Sequence, residues 1–200
     1  IISVPRIYEK VHAGILAKVA GAPGLKKAIF NFAMRQAKKN LPYVCRDITP
    51  GGFFAFKYRL ADKLVLSKLK DTLGMDKLRY AISGGAPLSQ SDAEFFIGMG
   101  FKILEGFGLT ETTPVTHFNR PWFIKPGTVG HPIPETEVRI ADDGELQIKG
   151  PQVMAGYYKN EEATKEVFTK DGFFRTGDIG EIDEDGYLKI TGRIKDIIVT

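Results

Sequence analysis

Residues 78–112 read LRYAISGGAPLSQSDAEFFIGMGFKILEGFGLTET, and their order decides the fold. Leu78 to Ser83 is strand-like, and Gly84-Gly85-Ala86-Pro87 turns the chain. Ser89-Gln90-Ser91-Asp92 has the capping-box pattern that opens a helix, which runs to about Gly98. Phe101-Lys102-Ile103-Leu104 is the next strand. Strand, helix, strand in this order implies a parallel, right-handed βαβ unit. Both Gly-rich loops then fall at the carboxyl edge of neighbouring strands, where open α/β sheets bind ligands.

Upstream the texture is helical. Ile7, Val11, Ile15 and Val19 form one stripe, Gly21-Ala22-Pro23-Gly24 interrupts it, and a second helix runs from Leu25 to Lys39. Residues 46–54 read as a loop. Leu60 to Leu73 reads as an amphipathic helix with Leu60, Leu64 and Leu66–Leu69 inward and Lys63, Lys68 and Lys70 outward.

Downstream of Pro121 the texture is all-β. Val138–Ile140 and Leu146–Ile148 flank Asp142-Asp143-Gly144 as one hairpin, and Ile179–Ile182 and Tyr187–Thr191 flank Asp185-Gly186 as another. Asn160 caps a short helix between them. The expected fold class is therefore α/β: a parallel sheet flanked by helices, followed by a small distorted β-barrel subdomain. The expected organisation is an α/β part with a basic helical insert over 1–121, a β-rich part over 122–192, and a connecting segment over 193–200.

Composition narrows the class. The 200 residues are 43% hydrophobic, enough for a packed core. No run of eighteen apolar residues occurs. A single cysteine, Cys45, excludes a disulfide framework and a Cys-rich zinc site, and the three histidines have no metal-ligand spacing. Residues 1–79 carry 16 Lys/Arg against 5 Asp/Glu, while residues 80–200 carry 12 against 19. A basic half suits phosphates or acidic lipids. Its cations are not expected to interleave with exposed aromatics and no nucleic-acid motif appears, so no nucleic-acid partner is expected.

Three segments could carry chemistry. In Gly106-Phe107-Gly108-Leu109-Thr110-Glu111-Thr112, Phe107 could stack on a base, Thr110 offers a hydroxyl and an N–H to a phosphate, and Glu111 is a hard oxygen ligand suited to Mg²⁺. The same residues also suit a Gly-rich turn with a capping Thr and a surface Glu. In Phe174-Arg175-Thr176-Gly177-Asp178 the carboxylate could accept both hydroxyls of a ribose, or satisfy local backbone donors. Gly192-Arg193-Ile194-Lys195-Asp196 could be a linker or a charged turn.

Taken together and in this order, these three segments resemble the core motifs of the adenylate-forming, AMP-producing acyl-CoA synthetases. Val4 to Lys10, the basic insert and Tyr58 to Val65 are similar to the long-chain fatty-acid branch. The resemblance implies a MgATP-dependent ligase that activates a fatty acid as acyl-AMP and passes it to coenzyme A. It implies that Gly85 and Ala86 lie along adenine, that Phe107 stacks on it beside Gly108, and that Thr110 meets the α-phosphate. Glu111 would hold Mg²⁺, Asp178 would bind the ribose hydroxyls, and Arg193 would contact ribose or phosphate. Thr110, Glu111 and Arg193 would be the catalytic set, and Asp196 the hinge to a carboxy-terminal domain. Tyrosine is commoner than phenylalanine at position 107 in that family, so a hydroxyl contact is missing here.

The family's Ser/Thr/Gly-rich phosphate loop and its adenylation lysine have no equivalent in these residues. The sequence therefore reads as an internal piece of a longer enzyme, inactive alone, with a cytoplasmic location and peripheral membrane contact. Two alternatives stay open: a ligase for an aryl or medium-chain acid, and a non-catalytic nucleotide-binding protein of the same fold.

Overall fold

A computed structural model describes residues 1–196; the apolar run Ile197 to Thr200 lies outside them. The chain divides into two compact units, one of residues 1–104 and 120–127, the other of residues 105–119 and 128 onward.

The first unit begins with a short strand β1 (Ile2–Ser3), followed by helices α1 (Pro5–Ala20) and α2 (Gly24–Cys45). Pro5 opens α1, where its missing N–H costs nothing. The expected stripe is partly inward: Ile15 is buried, together with Tyr8. The break at Gly21–Pro23 stands, and α2 then runs past Lys39 to Cys45. The α2 stripe Phe30, Ala33, Ala37 and Asn40 is buried. Its small members admit a neighbour closely: helix α5 (Gln90–Gly98) approaches until a Cβ on Gly98 would lie 2.7 Å from the Ala37 carbonyl oxygen.

Helix α3 (Gly52–Ala61) starts inside the stretch read as a loop and continues through a π turn (Asp62–Leu66) into α4 (Ser67–Thr72). The inward set is narrower than expected. Leu66 is buried and Leu69 half-buried, but Leu60 and Leu64 are exposed, so their inward placement is corrected. Ala61 and Leu66 already fill the contact, and the π turn shifts the helical register between them. Lys70 is also drawn inward, toward Asp62 at 3.5 Å.

Strand β2 (Ala81–Ser83) pairs in parallel with β1, Ile2 opposite Ile82. Strand β3 (Ile103–Phe107) is its neighbour on the other side, with the Ala81 N–H donating to the Lys102 carbonyl. The strand–helix–strand reading thus stands, although β2 is only three residues long. Ser89 caps α5 by accepting from the Asp92 N–H at 3.1 Å. The Asp92 carboxylate does not close the box; it accepts from Ser89 Oγ and pairs with His12 Nδ1 at 2.6 Å, tying α1 to α5.

In the second unit the end of β3 pairs antiparallel with β4 (His117–Phe118), and β4 with β5 (His131–Pro132). Strands β6 (Glu137–Ile140), β7 (Glu145–Lys149), β8 (Phe174–Ile182) and β9 (Leu188–Arg193) form an antiparallel sheet in that order. Helix α6 (Glu161–Val167) is capped by Asn160 Oδ1 at 3.1 Å from the Ala163 N–H. Bulges interrupt the ladder at Glu145/Gln147 and at Ile179/Gly180, which bends the sheet. Leu188 exchanges backbone hydrogen bonds with Val129 and Gly130, which curls it toward a barrel. The core is Leu146, Ile148 and Leu188, with Phe107, Val129, Val138, Ile140, Val153 and Ile190 around it. Among the described residues no helix is long and apolar enough to cross a membrane.

Candidate active site

Strand β8 carries the most informative residue. Asp178 is 3% exposed, yet only one of its oxygens is engaged: Oδ1 accepts from Arg193 Nε of β9 at 3.0 Å. Oδ2 is buried and has no hydrogen-bond partner. Burial raises the carboxyl above its ordinary range, and Arg193 offsets part of the effect. A buried, half-satisfied carboxylate costs stability. A ligand that donates hydroxyls would relieve that cost. Antiparallel pairing sets the Asp178–Arg193 contact directly, since the two are opposite residues in the β8–β9 register.

The turn ahead of Asp178 is held by Glu145 on β7, a residue the sequence left unassigned. Glu145 is buried; its Oε2 accepts from Arg175 Nε at 2.8 Å and its Oε1 from the Gly177 N–H at 3.1 Å. Gly177 has φ +72°, a left-handed conformation that favours glycine. Thr176 Oγ1 donates to the Leu146 carbonyl and accepts from the Asp178 N–H. The Arg175 and Thr176 side chains and the Gly177 N–H are thereby fixed by β7, and the Asp178 side chain by Arg193 of β9.

The loop after β3 forms a second group of residues. Gly106 lies against the Phe118 ring, with room for no Cβ, and a Cβ on Gly108 would lie 1.6 Å from the Pro114 carbonyl. Phe107 is half-buried against the Leu146–Ile148–Leu188 core. Thr110 is exposed. Thr112, buried, exchanges hydrogen bonds with the Leu109 backbone, and Thr113 adopts the left-handed region at φ +51°. Glu111 is half-buried, and Tyr157 Oη donates to its Oε1 at 3.0 Å. Burial and this hydrogen bond raise the Tyr157 phenol. The Met154 N–H donates to the Glu111 carbonyl, so the 154–157 segment holds this residue twice. Tyr157, like Glu145, was missed by the sequence reading. A Gly-Tyr-Tyr run offers no signal that one phenol faces a carboxylate.

The remaining expected site residues are placed as follows. Gly85, at φ +81°, and Ala86 are exposed in the turn after β2, in the first unit. Asp196 ends a short 3₁₀ turn after Arg193. His117 is buried beside Thr116 Oγ1 at 3.0 Å, and His131 packs on Tyr187. Desolvation, with the nearby His131 as a smaller cause, pushes the His117 imidazole down to about 4, so it is neutral near pH 7.

Among the described residues no three His, Cys, Asp or Glu side chains converge as a metal cage. Mg²⁺ delivered with a nucleotide takes one or two protein carboxylates and fills its octahedron with phosphate oxygens and water. Glu111, half-buried and steadied by Tyr157, fits that single-carboxylate role.

Residues 1–158 match the model of the AMP-binding enzyme family, and the chain belongs to that family. Among curated relatives, the long-chain-fatty-acid–CoA ligase FadD15 of Mycobacterium tuberculosis is 45% identical, aligned over 100% of this chain and 32% of its own length. Long-chain-fatty-acid–CoA ligase 2 of Schizosaccharomyces pombe is 35% identical over 99% of this chain and 29% of its own. The chain thus spans about a third of the length of these relatives. Among solved structures, ATP-bound MatB from Rhodopseudomonas palustris is 37% identical over 70% of this chain and 31% of its own, with a TM-score of 0.59. An anthranilate CoA ligase bound to anthranoyl-AMP is 26% identical over 62% of this chain and 26% of its own, with a TM-score of 0.57.

Proposed function

We propose that this chain is part of an AMP-forming long-chain fatty-acid–CoA ligase, and that it supplies the nucleoside-binding and α-phosphate-facing portion of the active site. The observation that carries the reading is Asp178: a buried carboxylate with one oxygen on Arg193 and the other open. That arrangement suits the vicinal hydroxyls of a ribose.

In the first half-reaction a carboxylate oxygen attacks the α-phosphorus of ATP, the bond to the β-phosphate bridging oxygen breaks, and pyrophosphate leaves. In the second, the thiol of coenzyme A attacks the acyl carbon, AMP leaves, and the thiol proton goes to solvent. A carboxylate is already nucleophilic, so positioning and charge neutralisation dominate. Asp178 fixes the ribose. Arg193, held by Asp178 and 61% exposed, presents its remaining guanidinium N–H groups to ribose or phosphate. Thr110 offers its hydroxyl and N–H to the α-phosphate, and Phe107 with Gly108 forms the adenine platform. Glu111 would hold Mg²⁺, which when bound would supply charge neutralisation to the phosphates. Asp196 is the hinge at which a further domain would turn between the half-reactions. We assign the protein a cytoplasmic location with peripheral membrane contact, supported by the excess of cations in residues 1–79.

A ligase for another carboxylate is the second reading, because the solved neighbours include an anthranilate CoA ligase. The higher identity to long-chain ligases supports the first. Hydroxylamine trapping of the acyl-AMP, with the full-length protein and a series of acids, separates them. Hydroxamate yield rising with chain length upholds the long-chain reading, and yield confined to aryl or short acids overturns it.

A further inference from the structure

The continuous helical segment from Gly52 to Thr72 presents an outward stripe of Phe53, Phe56, Leu60 and Leu64; periodicity places only the two leucines inward, and the two phenylalanines are exposed aromatics among the cations, which the sequence did not predict. Phe53 and Phe56 are 72% and 64% exposed, and Leu60 and Leu64 are each above 40%. Their spacing of three, four and four residues puts all four on one side of the helix. Lys57, Arg59, Lys63 and Lys68 are exposed on the same segment. At helical geometry, Lys57 falls to one side of the stripe and Arg59 and Lys63 to the other, while Lys68 lies one turn beyond Leu64, after the π turn. Lys57 Nζ lies 4.3 Å from the Phe53 ring centroid. Of the segment's two acids, Asp62 is turned onto Ser67 and Lys70, and Asp71 is exposed at the far end. Opposite the stripe, Ala61 and Leu66 are buried, so the orientation of the helix is fixed by its packing.

We infer that this face docks on an anionic bilayer surface, with Phe53, Phe56, Leu60 and Leu64 entering the acyl boundary and the four cations meeting lipid phosphates. An apolar stripe flanked on both sides by cations is the signature of a helix lying in the membrane interface. Charge complementarity selects the occupant. A second copy would bring two cationic faces together. Single-stranded nucleic acid would use the phenylalanines for stacking but leave the leucines idle. The assignment names the face for the peripheral contact proposed above and does not depend on the ligase reading.

The test is co-sedimentation of the full-length protein with vesicles of phosphatidylcholine, and of phosphatidylcholine with phosphatidylglycerol. Hydrogen exchange is followed on the bound and free forms. Each cation near an anionic surface is worth about fivefold in partitioning. The Lys57→Gln/Lys63→Gln/Lys68→Gln variant is therefore expected to lose about a hundredfold on anionic vesicles. Phe53→Ser/Phe56→Ser is expected to lose the binding that survives high salt. Unchanged melting temperatures show that both variants fold. Vesicle-dependent protection of residues 52–68 upholds the assignment. Binding that protects another face overturns the face but keeps the peripheral contact, and no binding overturns both. Hydroxyl-radical footprinting that finds the Phe53 and Phe56 rings shielded before vesicles are added shows the stripe covered by the rest of the protein, and also overturns it.

Discussion

Replacing Asp178 by alanine should separate what this residue does for the fold from what it does for the ligand. In the free protein the substitution removes the Arg193 ion pair. Because Arg193 is 61% exposed, that pair contributes about 0–1 kcal/mol. It also removes a buried, unpartnered Oδ2, whose desolvation costs about 1–3 kcal/mol. The two nearly cancel, so Asp178→Ala should be neutral or more stable by about 1 kcal/mol at neutral pH. The pH dependence has a definite sign. A carboxyl raised in the folded state ionises first in the unfolded chain. Wild-type stability therefore falls, relative to the variant, as pH rises from the ordinary carboxylate range through the raised value. With nucleotide the balance reverses. Two ribose hydroxyls donating to a carboxylate are worth about 3–6 kcal/mol together, or about 10²–10⁴ in affinity. Urea unfolding across pH and calorimetric titration with ATP provide the two readouts. A loss of more than about 2 kcal/mol of stability at neutral pH, or an unchanged ATP affinity, would refute the reasoning.

Glu145→Ala should fold less stably by about 2–4 kcal/mol, because it orphans the Gly177 N–H and releases Arg175; a chemical denaturation midpoint within error of wild type would contradict this. Gly98→Ala forces a Cβ to within 2.7 Å of the Ala37 carbonyl, so α2 and α5 must part, at about 1–3 kcal/mol by thermal unfolding. His117, neutral in the fold down to about pH 4, takes up its proton first in the unfolded chain. Stability should then fall by up to about 3 kcal/mol as pH drops from 6.5 to 4, and His117→Gln should flatten that slope. Tyr157→Phe leaves Glu111 without its phenol donor and should weaken the magnesium dependence of nucleotide binding by about tenfold, read by titrating Mg²⁺ at fixed ATP.

The sequence disclosed what depends on local order. The strand–turn–helix–strand of residues 78–104, the Ser89 and Asn160 caps, and the two Asp-Gly hairpins are each written in neighbouring residues. Asp178 and Arg193 could be named from their motifs, but that they touch follows from the β8–β9 register, which no motif states. Glu145 and Tyr157 were invisible because their partners lie 30 and 46 residues away. Leu60 and Leu64 were misplaced for a related reason. Periodicity finds the apolar stripe of a helix, but Ala61 and Leu66 had already taken the buried side. The α3 start at Gly52 was hidden by glycines that suit a loop equally well.

The central claim is that this fold serves adenylation of a fatty acid on a nucleoside held by Asp178. Carboxylate-dependent ATP–pyrophosphate exchange by the full-length protein tests it most directly. The account predicts exchange that rises with acyl chain length and collapses in Asp178→Ala while that variant stays folded. Nucleotide binding with no exchange for any carboxylate, or exchange undiminished by the substitution, would contradict it.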